Sequence, residues 1–512
     1  MSDGNTMSNS GDLYTLLSRR WSDPAKPFLT TLDGRIVTYG DVASGSARIA
    51  NAIVASGVKP GDRIAVQTEK SPEAILLYLA CLRAGAVYLP LNTAYTLNEV
   101  EYFLTDAEPS LVVVSPAKET PIAELAGRLG IKACLTLGTG GDGSLMQRAA
   151  DAPASFEERR RSADDLAAIL YTSGTTGRSK GAMLTHANLA SNAEALTSFW
   201  RFTPADVLIH ALPIFHVHGL FTATNVILWA GASMHFLSRF DADDIFRVMP
   251  QATTMMGVPT FYVRLLQDPR LNRDTTRHMR LFISGSAPLL AETHRAFKER
   301  TGHNILERYG MTETGMNTSN PYDGDRVPGA VGFPLPGVEL RITDPESGKV
   351  LGADDIGMIE VKGPNVFKGY WRMPEKTTAE FTSDGFFITG DLGKIDDNGY
   401  VHIVGRGKDL VISGGYNVYP KEIENEIDAI AGVSESAVIG VPHPDFGEGV
   451  TAVVVLEAGR TLSEADIISA LKGRLAAFKM PKRVLFVDAF PRNTMGKVQK
   501  NLLREAYADL FS

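Results

Sequence analysis

The stretch ILYTSGTTGRSKGAMLTH, Ile169–His186, decides how the rest of the chain is read. The apolar run Ala167–Tyr171 predicts a buried strand. The glycines behind it free backbone N–H groups to turn toward a bound anion. The neighbouring hydroxyls and Lys180 add donors and positive charge. That is the make-up of a phosphate cradle, although not of a Walker A loop, because Gly177 is followed by Arg178 rather than by Lys and Ser/Thr. A mobile surface loop has the same richness in Gly, Ser and Thr. The choice between the two rests on the remaining sequence.

A chain of 512 residues exceeds what one hydrophobic core supports and predicts at least two domains of enzyme size. With 44% hydrophobic and 21% charged residues, the composition is that of a soluble globular protein. The net charge of -8 argues against general nucleic-acid binding, so any anion site is local. Two cysteines, Cys81 and Cys134, are too few for a disulfide framework or a structural zinc site and fit a reducing compartment. The polar start MSDGNTMSNSGD has neither the basic end nor the apolar centre of a signal peptide, and residues 1–10 read as a flexible arm. AILLYLACL, from Ala74, is too short to span a membrane, and Ser71, Pro72 and Glu73 open it as a capped helix. The expected location is cytoplasmic, without membrane or nucleic-acid partners.

Strand-like runs (RIAVQT, AVYLPL, LVVVS, LFISGS) alternate with helical ones (EAILLYLACLRAG, NEVEYFLTDA), which predicts a layered α/β domain over residues 11–405. The boundary falls in HIVGRGKDLVISGGYNVYPKEIENEI, where two short strands flank a glycine turn and Pro420 opens an amphipathic helix. Residues 406–512 form a compact α+β unit that reads as a mobile lid, with strands at TAVVVLEA and RVLFVD and helices at SEADIISALKGRL and VQKNLLREAYADL. Two further motifs carry less. GTGGDG from Gly138 matches a dinucleotide fingerprint, but the helix after it is stunted and a surface turn explains it. GRSKG, Gly177–Gly181, matches a nucleophile elbow with Ser179 as nucleophile, yet that device needs a strand, one sharp turn and a helix.

Six stretches in fixed order, YTSGTTGRSKG, LPIFHVHGL, ISGSAPL, ERYGMTET, TGDLG and GRGKDLVISGGYNVYPKEIE, followed by PRNTMGKVQK, resemble the adenylate-forming superfamily of acyl-CoA synthetases, peptide-synthetase adenylation domains and luciferases. The resemblance covers nearly the whole chain. It implies that a carboxylate is joined to ATP with loss of pyrophosphate and that the acyl group then passes from AMP to a thiol. It places Thr172, Ser173, Gly174, Thr175, Thr176, Gly177 and Lys180 around the β- and γ-phosphates, with Ser179 standing where the family usually has proline. Gly285, Ser286, Ala287 and Pro288 fall along the adenine. Thr312 and Glu313 meet the α-phosphate and Mg2+, a hard cation that suits a carboxylate. Asp391 accepts the ribose hydroxyls, and Arg406 is a further ribose contact. His216 lies near the acyl site, whereas His218 receives no role. Gly415 and Tyr416 line the channel for the pantetheine arm of coenzyme A. Lys408 is the hinge, and Lys497 reaches the α-phosphate and carboxylate during adenylation and is a candidate for acetylation. Around Lys497, residues 472–504 hold nine basic side chains and one acid, Asp488, an excess suited to phosphates.

Within the superfamily, YLPLNTAYTLNEVEYFLTDAEP, GVPTFYVRLLQ and NTSNPYDGDRVPGAVG are similar to bacterial malonyl-CoA synthetases. Malonate keeps a second carboxylate, which costs several kcal/mol to bury unpaired and therefore calls for an arginine in the acyl pocket. Arg264 is expected first and Arg308 second. The implied activity is MgATP-dependent ligation of malonate to coenzyme A. Another short or medium-chain acid such as methylmalonate is the alternative, with a serine hydrolase using Ser179 or a non-catalytic nucleotide sensor as readings of other classes.

Overall fold

The computed structural model describes residues 11–172, 179–413, 416–493 and 496–511. The expectations placed on the 1–10 arm, on Ser173, Gly174, Thr175, Thr176 and Gly177, and on Gly415 lie outside the described residues. The predicted strand is present as Leu166–Thr172, buried through its centre. It sits in a six-stranded sheet ordered Ala133–Thr136, Leu111–Val114, Arg63–Gln67, Val87–Pro90, Leu166–Thr172, Lys180–Thr185. The first five strands are parallel, and the last returns antiparallel, pairing Ile169 with Met183 and Thr172 with Lys180. The two strands that flank the phosphate-loop segment are therefore antiparallel partners. A strand follows that segment where a nucleophile elbow requires a helix, which removes the structural basis for Ser179 as a hydrolase nucleophile.

A nine-stranded sheet packs behind the first. Its six central strands, Leu306–Met311, Leu281–Ser284, Thr254–Gly257, Val207–His210, Ser233–Phe236 and Pro27–Thr31, are parallel. The last of these pairs Leu29 with Met234. Parallel sheets covered on both faces read as short apolar runs, as LFI in Leu281–Ser284 and VLI in Val207–His210 do. The helix Pro72–Arg83 lies in the largest core, and all twelve of its residues are buried. Ser71 accepts from the Ala74 N–H at its start, as the sequence predicts. The Tyr78 ring meets Tyr88 of one layer and Phe221 of the other, at 5.4 and 5.7 Å. Among the described residues no helix is long and apolar enough to cross a membrane.

A four-stranded antiparallel sheet, Glu339–Thr343, Gly357–Lys362, Phe387–Ile395 and Val401–Arg406, completes the large part. Arg406 still pairs with Asp391 in it, so the sheet runs one residue past the boundary expected at 405/406. The lid has its own five-stranded sheet and cores around Val438 and Val453. The two short strands Val411–Ser413 and Tyr416–Val418 and the helix Pro420–Asp428 stand where the sequence puts them. The longest lid strand, Val433–His443, is not apparent from VSESAVIGVPH, whose exposed and buried residues do not alternate strictly. GTGGDG closes as a turn, with the Gly138 N–H donating to the Asp142 carbonyl at 2.9 Å before a seven-residue helix.

Candidate active site

The carboxyl ends of the parallel strands, where open α/β sheets place their ligands, converge below the lid. On one side of this cleft Asp391 is buried and binds through both oxygens. Arg406 Nε donates to Oδ1 at 2.8 Å, and the Tyr309 hydroxyl donates to Oδ2 at 2.5 Å. A carboxylate has about four acceptor sites, so Asp391 held in this way still has capacity for a pair of hydroxyls. Glu313, also buried, accepts from the Tyr370 hydroxyl at 3.1 Å and from Thr172 Oγ1 at 3.4 Å, and burial raises its pKa. The Tyr370 hydroxyl also lies 2.7 Å from Glu380, so its one proton is shared between the two carboxylates, and Glu380 holds Lys180 at 3.1 Å, with the ammonium 4.1 Å from the centre of the Tyr370 ring. Thr172, Lys180, Glu313, Asp391 and Arg406 are thus brought together, and Thr312 sits half-buried beside Glu313.

Glu313 alone is no metal cage, and no cluster of three or more metal-ligating side chains exists among the described residues. Mg2+ is commonly held by one or two carboxylates together with substrate phosphates. A single desolvated carboxylate facing the strands that flank the phosphate-loop segment fits that mode.

On the other side lies a pocket wall rich in unpaired donors. Arg308 is 4% exposed, and among the described residues neither its Nε nor its Nη2 has a hydrogen-bond partner. Burial pushes its pKa down to about 9. Arginine does not lose its proton in proteins, so the shift measures how poorly a lone cation is accommodated there. Gly285 packs against this guanidinium: a Cβ at that position would stand 2.3 Å from Cζ. The small residue permits close approach to an arginine. Ser286 follows in the left-handed region, with φ +72°, a conformation that costs a non-glycine residue about 1–3 kcal/mol and is found at functional sites. Its hydroxyl is 3.1 Å from His218 Nδ1. Ala287 and Pro288 continue the segment, half-buried and exposed.

His216 and His218 are both neutral. Burial lowers the first to about 3, helped by Lys497 and Arg308, and the second well below the usual imidazole range. The His218 backbone N–H donates to His216 Nδ1 at 3.2 Å. His218, given no role from sequence, thus belongs to the wall. Arg264 does not join the cluster. It projects from the helix Pro259–Leu266 as an exposed side chain, 5.8 Å from the centre of the Phe240 ring. The order expected for the two arginines is reversed in burial and in proximity to the histidines.

Lys497, on the lid, keeps part of its side chain open to solvent while its ammonium faces both sides of the cleft. Desolvation and then Arg406 lower its pKa against the opposing pull of Asp391 and Glu313, and Arg308 lowers it further. Gly496 stands beside Thr260 of the large domain. Lys408 occupies the exposed turn Gly407–Asp409 between the sheets of the two parts, next to the Asp409–Arg504 ion pair. Tyr416 is exposed and stacked on Phe478 at 4.7 Å.

Sequence reasoning missed Tyr309, Tyr370 and Glu380. Tyr309 was within reach, since it lies inside ERYGMTET between two assigned residues. Tyr370 and Glu380 carry no local signal. They reach the site because the chain around Tyr370 runs along the strand Lys180–Thr185, where Ala182 bridges to Tyr370 and the Met183 N–H donates to the Gly369 carbonyl at 2.9 Å.

Residues 19–371 match the family model described as AMP-binding enzyme, and residues 422–497 match the AMP-binding enzyme C-terminal domain. The mitochondrial malonate–CoA ligase of Mus musculus is 38% identical, the alignment covering 92% of this chain and 87% of that protein. The crystal structure of ATP-bound MatB from Rhodopseudomonas palustris is 65% identical, covering 98% of this chain and all of that one, with a TM-score of 0.97. The apo form of the same MatB, at the same identity and coverage, gives 0.86. The arrangement described above is the one nearer the ATP-bound form.

Proposed function

The chain belongs to the AMP-binding enzymes, and on that premise we propose that it ligates malonate to coenzyme A. One malonate carboxylate oxygen attacks the α-phosphorus of ATP, the bond to the β-phosphate oxygen breaks, and pyrophosphate leaves with its electron pair. The thiol of coenzyme A then attacks the malonyl carbonyl and expels AMP. Asp391, braced by Arg406 and Tyr309, holds the ribose. Lys497 stabilises charge developing on the α-phosphate and reacting carboxylate. Lys180, released from Glu380, meets the departing pyrophosphate. Glu313, together with the phosphates, would hold Mg2+, which would supply charge neutralisation during the transfer.

The observation that carries the choice of acid is Arg308: a buried cation with two unpaired donors on a wall of neutral groups. A monocarboxylate with an apolar tail would leave that cation unpaired, whereas a second carboxylate one carbon away from the reacting one can take both donors. Arg308 is therefore the first clamp, and the exposed Arg264 the second candidate. The test is CoA-dependent AMP formation across a panel of carboxylates. Malonate should exceed butyrate and acetate by at least about a hundredfold in kcat/KM, the loss expected when a buried charged group is left unpaired. A preference for butyrate would overturn the reading.

A further inference from the structure

Lys70 is a cation that none of the steps above uses. It stands between the strand Arg63–Gln67 and the helix Pro72–Arg83 of the first layer, and its side chain crosses to the second. Nζ lies 2.9 Å from His210 Nδ1, 2.9 Å from the His210 carbonyl and 2.8 Å from the Leu212 carbonyl, with the centre of the Phe236 ring 4.4 Å away. Among the described residues no carboxylate forms an ion pair with it. The position is unfavourable for a cation on two counts. Burial pushes its pKa well below the usual lysine range, and it directly precedes Ser71, the N-cap of a helix whose dipole repels positive charge. Three acceptors nevertheless match the three N–H bonds of an ammonium; a neutral amine has only two.

The consequence passes to His210, which is wholly buried. A ring nitrogen that accepts from Lys70 carries no proton, so the single proton of this neutral imidazole is on Nε2. Nε2 lies 2.9 Å from the Gly219 carbonyl and 3.2 Å from Thr224 Oγ1, and that hydroxyl also donates to the Gly219 carbonyl at 3.0 Å. Both groups belong to His218–Thr224, a π-helical turn of the kind that collects at functional sites. Gly219 has no room for a side chain there, since a Cβ would stand 2.0 Å from the Pro213 carbonyl oxygen. The first residue of the turn is His218, which reaches Ser286 next to Gly285 and Arg308.

We propose that Lys70 is a positioning residue for the acid pocket: by fixing the Nε2–H form of His210 it holds the π-helical turn, and so places His218 and Ser286 against Arg308. As a positioning role for malonate this rests on the function proposed above. The test therefore has one arm that involves no substrate.

In that arm the full-length enzyme is labelled with 15N-histidine. The parent should show His210 as a single Nε2–H tautomer, and Lys70→Met, which keeps the stem and removes the donors, should lose that signature. In the second arm, Lys70→Met should lower kcat/KM for malonate by at least about thirtyfold and the malonate-to-butyrate ratio by at least about tenfold, while the KM for ATP stays within about threefold. Lys70→Gln, with two of the three donors, should fall between parent and Met. It carries the same measurements if the Met variant does not fold. An unchanged His210 tautomer, or equal losses with malonate and butyrate, overturns the proposal. A parent enzyme that ignores malonate would instead sink the choice of acid, and the tautomer would still decide what Lys70 does.

Discussion

Replacing Arg308 by methionine keeps an apolar stem of similar reach and removes the charge and every donor. The cost to malonate can be worked out in two ways. Burial lowers the arginine from 12.5 to about 9, and a gap of that size corresponds to roughly 4–5 kcal/mol of unfavourable burial that an anionic partner can return. Counted instead by contacts, two charge-assisted hydrogen bonds, from the unpartnered Nε and Nη2, contribute about 1.5–3 kcal/mol each. The two routes overlap at about 4–5 kcal/mol, or roughly a thousand to several thousand in kcat/KM for malonate. Butyrate brings no second charge, so its kcat/KM should hold or rise in the mutant. The assay is the malonate-to-butyrate ratio of kcat/KM, in which general damage cancels. Removing an unpaired buried cation should also leave the melting temperature unchanged or higher. A fall in the ratio of less than about tenfold, only 1.4 kcal/mol, would refute the clamp. If Arg264→Met produced the large fall in its place, the exposed arginine would be the residue that counts.

Lys497→Ala should cost adenylation at least about 3 kcal/mol, over a hundredfold, while thioester formation from supplied malonyl-AMP is largely spared; equal loss of both half-reactions in stopped assays would contradict its role. Lys408→Pro, by fixing φ near -65° and restricting Gly407, should slow one half-reaction far more than the other, and both rates within about twofold of the parent would make it an ordinary turn residue. Acid stability should reflect His186, which accepts from the Leu13 N–H at 3.1 Å and is pushed by burial to about 4. The unfolded imidazole, near 6.5, takes its proton first, so stability is full above that pH and is lost as the pH falls from 6.5 to about 4. The loss is about 2 kcal/mol between pH 7 and 5. His186→Asn, which keeps an acceptor and no titration, should show a shallower decline in melting temperature over that window; an identical slope would exclude His186.

The sequence was most informative where one local motif does one local job. Asp391, Arg406 and Glu313 come from three separate stretches, and the structure brings all three to the same cleft because Arg406 ends its strand opposite Asp391, at the centre of the neighbouring one, while Glu313 follows the end of Leu306–Met311. The capped helix from Pro72 and the lid helix from Pro420 were legible for the same reason: cap, proline and periodicity are adjacent in the chain. The return strand Lys180–Thr185 was harder to see, since the glycine-rich insert hides which residues pair. Arg264 and Arg308 differ by exposure, a tertiary property that residue type does not carry. Tyr370, Glu380 and Lys70 act on partners that lie between 10 and 200 residues away, and their individual neighbourhoods read as ordinary helix edges and loops.

The pairing of Pro27–Thr31 with Ser233–Phe236 has a consequence in time. Leu29 leaves the ribosome 205 residues ahead of Met234, its register partner. At ordinary synthesis rates that is a wait of roughly 10–40 s, during which the strand has no parallel neighbour. The helix Pro72–Arg83 waits as well, apolar on every face, because Phe221 is among the residues that cover it. Nascent chains of this protein therefore carry an exposed strand edge and an uncovered apolar helix until the second layer is made. That interval, rather than the finished fold, is where chaperone capture and aggregation should concentrate.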